Sequence, residues 1–457
     1  MTRPIDAPTW FDEAGAAFVA GMPEHFERLT WSAERLRDHQ EQQLRRLVAA
    51  AISGSAFHRE RLSGLDPDTV TLDDLAGLPV MTKSEMMASF DDVVTDPRLR
   101  RDAVEAHVRT AGAEPVVLDG EFLPLASGGS SGERGIFVYD QAATVTYLSA
   151  FVRTGLARFA ALAGWPPSMR LAITIVGAPS AIHATSVIPH LMRAIADLTF
   201  APATLPFDEI VERVAASQPV LLAGYPSMIA ELADAQAAGR LAITPLTISP
   251  SSEQLTPELA ARITEGFGVA PSSGFGSSEG CQGNAPPGSD EFTFASDCVI
   301  MEFVDEHQRP VPVGTTADHV LITNLFNPLQ PLIRYRLDDR MTPLPAAAEH
   351  GHQRATLEGR TDSVATIGGT TVHTLGIDSA LLRHPGVREH QTVIGSAGLT
   401  IRVVGAGPVD VARAAADVAA NLAAAGAPTP VEVVAVDALD RDPLTGKVRR
   451  VVPGAGR

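Results

Sequence analysis

The chain has 457 residues, of which 45% are apolar and 20% are charged, and its formal net charge is −18. This length predicts roughly two to four domains, and the composition is that of an ordinary globular protein. The negative charge disfavours a nucleic-acid or anionic-membrane surface, so neither partner is expected. An anionic substrate would therefore need a locally basic pocket.

The N-terminus and the cysteines are the features that indicate the cellular compartment of the protein. Residues 1–6 lack a basic region followed by an apolar stretch, so no signal peptide is expected, and no run reaches the roughly 18 apolar residues of a membrane span. Cys281 and Cys298 have no metal-like spacing and are interpreted as small buried or partly exposed thiols. We expect a cytoplasmic protein.

The secondary structure is predicted from hydrophobic periodicity. Residues 24–62 are predicted to be helical, because leucines and a valine recur at helical spacing among charged residues. Between about 120 and 330, strands (171–176 and 219–224) alternate with helices (183–197 and 227–238). This alternation predicts an α/β fold with a substantially parallel sheet.

The last two regions differ from this pattern. Residues 292–337 contain strand-like pieces separated by turns, which predicts a small β-rich subdomain. Beyond residue 359, two strands (390–395 and 399–404), an Ala-rich helix (409–425) and a strand (430–436) predict a compact α+β unit of about a hundred residues.

Five short segments carry candidate chemistry. The first, Ser127-Gly128-Gly129-Ser130-Ser131-Gly132, suits a polyphosphate, because glycines allow close backbone approach while amides and hydroxyls donate hydrogen bonds. A flexible surface turn is the alternative interpretation of that string. The other four segments are Phe275-Gly276-Ser277-Ser278-Glu279, Arg334-Tyr335-Arg336-Leu337-Asp338-Asp339, Gly359-Arg360-Thr361-Asp362 and Asp442-Pro443-Leu444-Thr445-Gly446-Lys447.

In this order the segments resemble those of the adenylate-forming superfamily of acyl-CoA synthetases, adenylation domains and luciferases, specifically its phenylacetate–CoA ligase-like branch. The resemblance spans roughly residues 30 to 452. It implies an α/β fold with two parts. Residues 1–358 would form a large adenylation domain of mixed sheets and helices with a small β subdomain, and residues 359–457 would form a small mobile α+β lid.

The resemblance assigns the nucleotide site. The phosphate loop would be Ser127, Ser130, Ser131 and Gly132, although Glu133 and Arg134 stand where the family often has Lys and Pro. Whether Arg134 replaces the missing lysine stays open. Phe275 would pack on adenine beside Gly276 and Ser277, Ser278 would hold the α-phosphate region, and the adenine-side loop would be Ser251-Ser252-Glu253.

The charged roles follow from the same resemblance. Glu279 would bind Mg²⁺, whose preferred ligands are hard oxygens. Asp339 would accept from the ribose hydroxyls, Arg360 would contact the nucleotide, and Asp362 would be the hinge. Lys447 would offset the negative charge that develops when a carboxylate attacks phosphorus.

The resemblance also implies substrates and products. ATP and Mg²⁺ would activate a carboxylic acid, by default aromatic or arylacetic, as an acyl-adenylate that then reacts with coenzyme A. His183, Tyr225 and Gly274 are the candidate residues for binding the acid. An amine or another nucleophile as the acceptor, as in amide synthetases, remains an alternative. The oligomeric state stays open, with a homodimer among the choices.

A serine hydrolase is a competing interpretation. Residues 128–132 and 276–280 both match the Gly-x-Ser-x-Gly nucleophile elbow, which requires a strand before the serine and a helix directly after it. A strand-like segment follows the first string, and a Pro- and Gly-rich segment that disfavours a helix follows the second. Both contexts therefore argue against a hydrolase.

Overall fold

The structure is a computed structural model of the 457-residue chain. The residues that it describes are 7–110, 115–127, 135–163, 170–177, 184–203, 205–253, 255–337, 339–360, 364–367, 370–373, 377, 380–381, 384, 387–395, 398–405, 407–424, 427–440, 448 and 451–453. Ser130, Ser131, Gly132, Arg134, His183, Asp362 and Lys447 lie outside these ranges.

Helices form the N-terminal region, as predicted, with a break at residues 29–32. The second helix begins after Ser32, whose hydroxyl accepts from the amide of Arg35 and so satisfies a free helix N–H group. The helices are α1 (Ala7–Arg28), α2 (Ala33–Gly54), α3 (Ala56–Arg61), α4 (Lys83–Ala88), α5 (Phe90–Val93), α6 (Arg101–Thr110), α7 (Gln141–Ala163), α8 (Ala184–Leu191), α9 (Phe207–Ser217), α10 (Pro226–Ala237), α11 (Pro257–Phe267) and α12 (Val411–Ala424).

A β-hairpin and a parallel sheet follow the first helices. The hairpin is β1 (Leu123–Ala126) and β2 (Ile136–Tyr139), paired antiparallel. The parallel sheet has the order β4-β3-β5-β6 and consists of β3 (Leu171–Gly177), β4 (Ala196–Pro202), β5 (Leu221–Gly224) and β6 (Thr247–Pro250). The predicted parallel sheet is therefore confirmed.

The helix predicted over 183–197 is wrong at its C-terminal end. Helix α8 stops at Leu191, a short 3₁₀ turn covers Met192–Ala194, and β4 begins at Ala196. Residues 196–202 pair along the whole length of β3, and these interstrand hydrogen bonds override the local helical pattern.

The predicted β-rich region is confirmed as strands that divide between two antiparallel sheets. One sheet has the order β13-β14-β9-β8-β7 and the other β10-β11-β12. Their strands are β7 (Ser273–Gly276), β8 (Gln282–Ala285), β9 (Glu291–Phe294), β10 (Val299–Val304), β11 (His319–Asn324), β12 (Tyr335–Leu337), β13 (Asp339–Leu344) and β14 (Arg354–Arg360).

The C-terminal region has its own apolar core. Residues of α12 and of the sheet β19-β18-β17-β20 pack together in it, among them Ile401, Val418 and Leu422. The strands are β15 (Val364–Ile367), β16 (Thr370–His373), β17 (Val387–Gly395), β18 (Gly398–Gly405), β19 (Val431–Ala435) and β20 (Val451–Pro453). The predicted division at residue 358 falls within β14 and stays a prediction.

No helix in the described ranges combines the length and the apolar character that a membrane crossing requires.

Candidate functional site

The segment that carries Glu279 is a tight loop between β7 and β8. The amide of Ser277 donates to the carbonyl of Cys281 at 3.0 Å, and the amide of Gly280 donates to the carbonyl of Ser277 at 3.0 Å. The hydroxyl of Ser277 accepts from the amide of Cys281 at 3.3 Å. Ser277 therefore closes the loop, and its predicted contact with the nucleotide stays a prediction.

Some polar groups of this loop have no hydrogen-bond partner among the described residues. Within the described ranges, the amides of Ser278 and Glu279 donate to no acceptor. Glu279 is only 7% exposed, and no described residue donates a hydrogen bond to its carboxylate or forms an ion pair with it. Two open amides beside a buried, unpaired carboxylate suit a phosphate group together with a cation.

Asp339 lies near Glu279. It is the first residue of β13, is 8% exposed, and pairs in register with Arg360 at the end of β14. Burial raises the pKa of the Cys281 thiol well above its usual value, and the charges of Asp339 and then Glu279 raise this pKa further. Both carboxylates thus lie within electrostatic range of the same buried thiol, and strand pairing places the backbone of Arg360 beside Asp339.

The adenine-side loop adjoins β7. Ser251 forms a parallel bridge with Gly274, and its amide donates to the carbonyl of Gly224 at 2.8 Å. The carboxylate of Glu253 accepts from Ser227 at 2.7 Å, and Ser252 has a φ of 69°. The tertiary structure therefore places the segment 251–253 beside the strand that leads into the Glu279 loop.

Phe275 and Gly276 lie on β7, which packs against α7. Phe275 is partly buried, and its ring meets that of Phe294 edge-on at 5.8 Å. A Cβ atom at Gly276 would lie 2.8 Å from the side-chain oxygen of Gln282 and 2.9 Å from the ring of Phe151, so a larger residue there would have to displace these side chains. Tyr225 follows β5, is 5% exposed, and packs in the core beneath the parallel sheet.

Ser127 lies directly after β1 and pairs with Gly135 where the predicted phosphate loop begins and ends. Its amide donates to the carbonyl of Gly135 at 2.9 Å, and its hydroxyl accepts from the amide of Gly135 at 2.9 Å. The other predicted loop residues, Ser130, Ser131 and Gly132, lie outside the described ranges, as do Arg134, His183, Asp362 and Lys447.

Three residues at the site are absent from the sequence prediction. Tyr147, Tyr139 and Asn324 bind the carbonyls of Ser277, Ser278 and Glu279, respectively. The only sequence signal is a polar side chain at the end of a strand or on an apolar helix, which indicates a buried partner but does not identify it.

The secondary structure described after the two Gly-x-Ser-x-Gly strings does not fit a serine hydrolase. Strand β2 begins at Ile136, shortly after the first Gly-x-Ser-x-Gly string, and strand β8 begins at Gln282, shortly after the second. The described residues that follow each string thus include a strand, where a nucleophile elbow requires a helix.

The fold has counterparts among solved structures. The chain superposes on 2-hydroxyisobutyryl-CoA ligase in the postadenylation state, in complex with R3-HIB-AMP, with a TM-score of 0.66 and 20% identity over 93% of this chain and 91% of that one. The chain therefore shares the fold of this ligase.

Two further structures agree with this. The same ligase in the thioesterification state, with 2-HIB-AMP and CoA, gives a TM-score of 0.55 at 21% identity, covering 93% of this chain and 91% of that chain. The anthranilate CoA ligase AuaEII with anthranoyl-AMP gives 0.50 at 17% identity, covering 72% of this chain and 64% of that chain. No protein-family model and no curated protein sequence matches the chain.

Proposed function

We propose that the protein is an ATP-dependent, AMP-forming ligase that activates a carboxylic acid as an acyl-adenylate and transfers it to coenzyme A. The observation that carries the proposal is the buried Glu279 carboxylate, which has no described partner, beside two open amides and close to Asp339. The ligase fold supports the proposal, since one of its representatives holds an adenylate and CoA.

The residues fit a magnesium ion. A buried carboxylate is destabilising unless a cation or hydrogen bonds compensate for its charge. The carboxylate of Glu279 is the group that would hold Mg²⁺. When bound, the ion would reduce the negative charge of the phosphate oxygens.

The first step joins the acid to AMP. An oxygen of the carboxylate attacks the α-phosphorus of ATP, and the bond from that phosphorus to the bridging oxygen of pyrophosphate breaks with its electron pair. In our proposal Asp339 accepts from the ribose hydroxyls, and the amides of Ser278 and Glu279 donate to phosphate oxygens. Lys447 is proposed to reach the developing charge from the lid.

The second step transfers the acyl group. The sulfur of coenzyme A attacks the acyl carbon, the bond to the AMP oxygen breaks, and the thiol proton leaves to solvent. We propose that the lid turns about Asp362 between the steps and withdraws Lys447. Both cysteines of the chain are free buried thiols, which fits the proposed cytoplasmic location.

The substrate class can be determined by an activity screen. Pyrophosphate release is measured over a panel of aromatic, arylacetic and aliphatic acids, and the best acid is then offered CoA and amines in competition. Acid-dependent pyrophosphate release followed by thioester formation supports the proposal. An amide product assigns the amine acceptor instead, and rapid serine labelling by a fluorophosphonate probe without pyrophosphate release would indicate a hydrolase.

The role of Lys447 has a separate test. Lys447→Ala is expected to lower adenylation by at least about 100-fold, because the cation that offsets the transition-state charge is lost. Transfer from a supplied acyl-adenylate to CoA should stay within about threefold of the wild type, since the lysine is proposed to leave before that step. Equal loss of both half-reactions would contradict this role.

A further inference from the structure

Three consecutive backbone carbonyls of the Glu279 loop are each bound by a different buried side chain. The hydroxyl of Tyr147 on α7 donates to the carbonyl of Ser277 at 3.1 Å. The hydroxyl of Tyr139 on β2 donates to the carbonyl of Ser278 at 2.5 Å, and the side-chain amide of Asn324 on β11 donates to the carbonyl of Glu279 at 2.9 Å. The loop is thus attached to three separate elements on its interior side.

The orientation of Asn324 is determined by its other contacts. Its side-chain oxygen accepts from the backbone amides of Phe326 at 3.0 Å and Asn327 at 3.2 Å. Backbone amides can only donate, so the opposite end of the side chain must be the NH₂ group that faces Glu279.

Gly280 makes the contact of Asn324 with the loop possible. Its φ is +99°, a conformation that side chains disfavour, and a Cβ atom there would lie 2.2 Å from the side-chain nitrogen of Asn324. The glycine and the asparagine are therefore structurally coupled, although 44 positions of sequence, by the difference of their numbers, separate them.

The same contacts connect the loop to the predicted phosphate hairpin. Tyr139 is the last residue of β2, the strand that leaves the hairpin loop. Asn327 donates to the carbonyl of Val138 at 3.0 Å, and Gln330 both accepts from Val138 at 2.7 Å and donates to Ile136 at 3.0 Å. The segment 324–330 thus contacts both β2 and the Glu279 loop.

Tyr139 retains its proton in this environment. Burial raises the pKa of Tyr139 well above its usual value, and the neighbouring Tyr147 and Glu279 raise it further. The hydroxyl of Tyr139 is therefore available as a hydrogen-bond donor to the carbonyl of Ser278.

We propose that Tyr139, Tyr147 and Asn324 are positioning residues, which hold the Glu279 loop in a fixed position relative to α7, β2 and the segment 324–330 so that its carboxylate and open amides can bind Mg²⁺ and phosphate oxygens together. This inference rests on the proposed function. None of the three side chains needs to touch the nucleotide, because each acts through a carbonyl of the loop. Misplacement of a binding group by about 1 Å can lower a rate by about 100-fold.

The main test uses Tyr139→Phe, which removes one hydroxyl and keeps the ring. We expect kcat for adenylation to fall by about 10-fold or more, and the Mg²⁺ concentration for half-maximal rate to rise, with KM for the acid within about twofold. A second readout is binding: the thermal shift caused by ATP with Mg²⁺ should shrink. Tyr147→Phe, which loses the longer bond, should show the same changes more weakly.

The matched control is Ser55→Ala. Ser55 is also fully buried and its hydroxyl donates to a backbone carbonyl, that of Asp92 at 2.6 Å, while it also caps α3. The control should lose at least as much thermal stability as Tyr139→Phe, yet keep its Mg²⁺ dependence. If Tyr139→Phe matches the control in kcat, Mg²⁺ dependence and ATP-induced shift, the positioning role is overturned.

A double-mutant cycle tests the coupling. Gly280→Ala should displace Asn324 and reproduce the changed Mg²⁺ dependence of Asn324→Ala, so the double variant should be no worse than either single variant. Fully additive effects would overturn the coupling. A wild-type chain without acid-dependent pyrophosphate release overturns the proposed function and the positioning role together, whereas an active wild type with unchanged variants overturns only the positioning role.

Discussion

Two buried carboxylates in this protein differ sharply in their surroundings. Asp297 is 2% exposed, and Arg153 donates to both of its oxygens, at 2.5 and 2.7 Å, while Arg28 lies 3.4 Å away. Glu279 is 7% exposed and has no described donor or cation at its carboxylate. The fully paired group joins helices to the loop before β10, and the unpaired group leaves its oxygens for a ligand.

The pKa of Asp297 reflects its pairing with Arg153. Burial by itself would raise it, but the charge and hydrogen bonds of Arg153 outweigh burial and hold the pKa well below its usual value. The carboxylate is therefore ionised at any physiological pH, and its stabilising contribution disappears only in strong acid.

The largest expected effect on stability comes from breaking the paired cluster, which consists of Asp297, Arg153 and Arg28. Arg153→Met leaves Asp297 buried with Arg28, at 3.4 Å, as its remaining ion-pair partner among the described arginines, and we expect the free energy of unfolding to fall by about 3–5 kcal/mol. Urea unfolding followed by circular dichroism measures this. The double variant Arg153→Met/Asp297→Leu should recover most of the loss, because no charge stays uncompensated. A loss below about 1 kcal/mol in the single variant would refute the comparison.

The opposite outcome is expected at the unpaired carboxylate. Glu279→Gln should leave the free energy of unfolding unchanged or raised, since a neutral amide is easier to bury than an unpaired charge. Acid-dependent pyrophosphate release should fall by at least about 100-fold, and Mg²⁺ should no longer enhance the thermal shift by ATP. Glu306→Gln, the same substitution at a side chain that is 77% exposed, is the control that should keep both properties. A destabilised but active Glu279→Gln enzyme would show that this carboxylate is structural.

A smaller effect concerns pH around the paired cluster. Burial, with Arg153 and Arg28, lowers the pKa of His25 from 6.5 to about 4. Between these values the unfolded chain binds a proton that the folded chain does not, so stability falls as the pH falls. The slope from this residue reaches at most about 1.4 kcal/mol per pH unit.

His25→Leu should therefore flatten the loss of stability between pH 6.5 and 4 and have no influence on its pH dependence above that window. Urea midpoints measured across the window give the slope. His58, whose pKa burial also lowers to about 4, maintains part of the slope in the variant. The exposed His307 offers a control, since His307→Leu should preserve the wild-type slope. An unchanged slope in His25→Leu would mean that His25 does not contribute to it.

The sequence by itself predicts much of the architecture. Buried apolar runs such as 171–176 become parallel strands, and the Ala-rich segment near 411–424 becomes a helix, because their local patterns match their packing. The segment 196–202 fails this rule, since its state depends on hydrogen bonds to β3 that no local pattern encodes.

The candidate site, like the fold, was predictable from the sequence only in part. The resemblance of the segments 275–279 and 334–339 to those of adenylate-forming enzymes already implied phosphate, cation and ribose chemistry. Only the tertiary structure decided which buried groups hold that loop, since Tyr139 and Tyr147 lie 139 and 130 residues from their carbonyl partners. Local sequence determines which chemistry a loop can carry, whereas burial and long-range hydrogen bonds determine where its groups lie and which carboxylate remains unpaired.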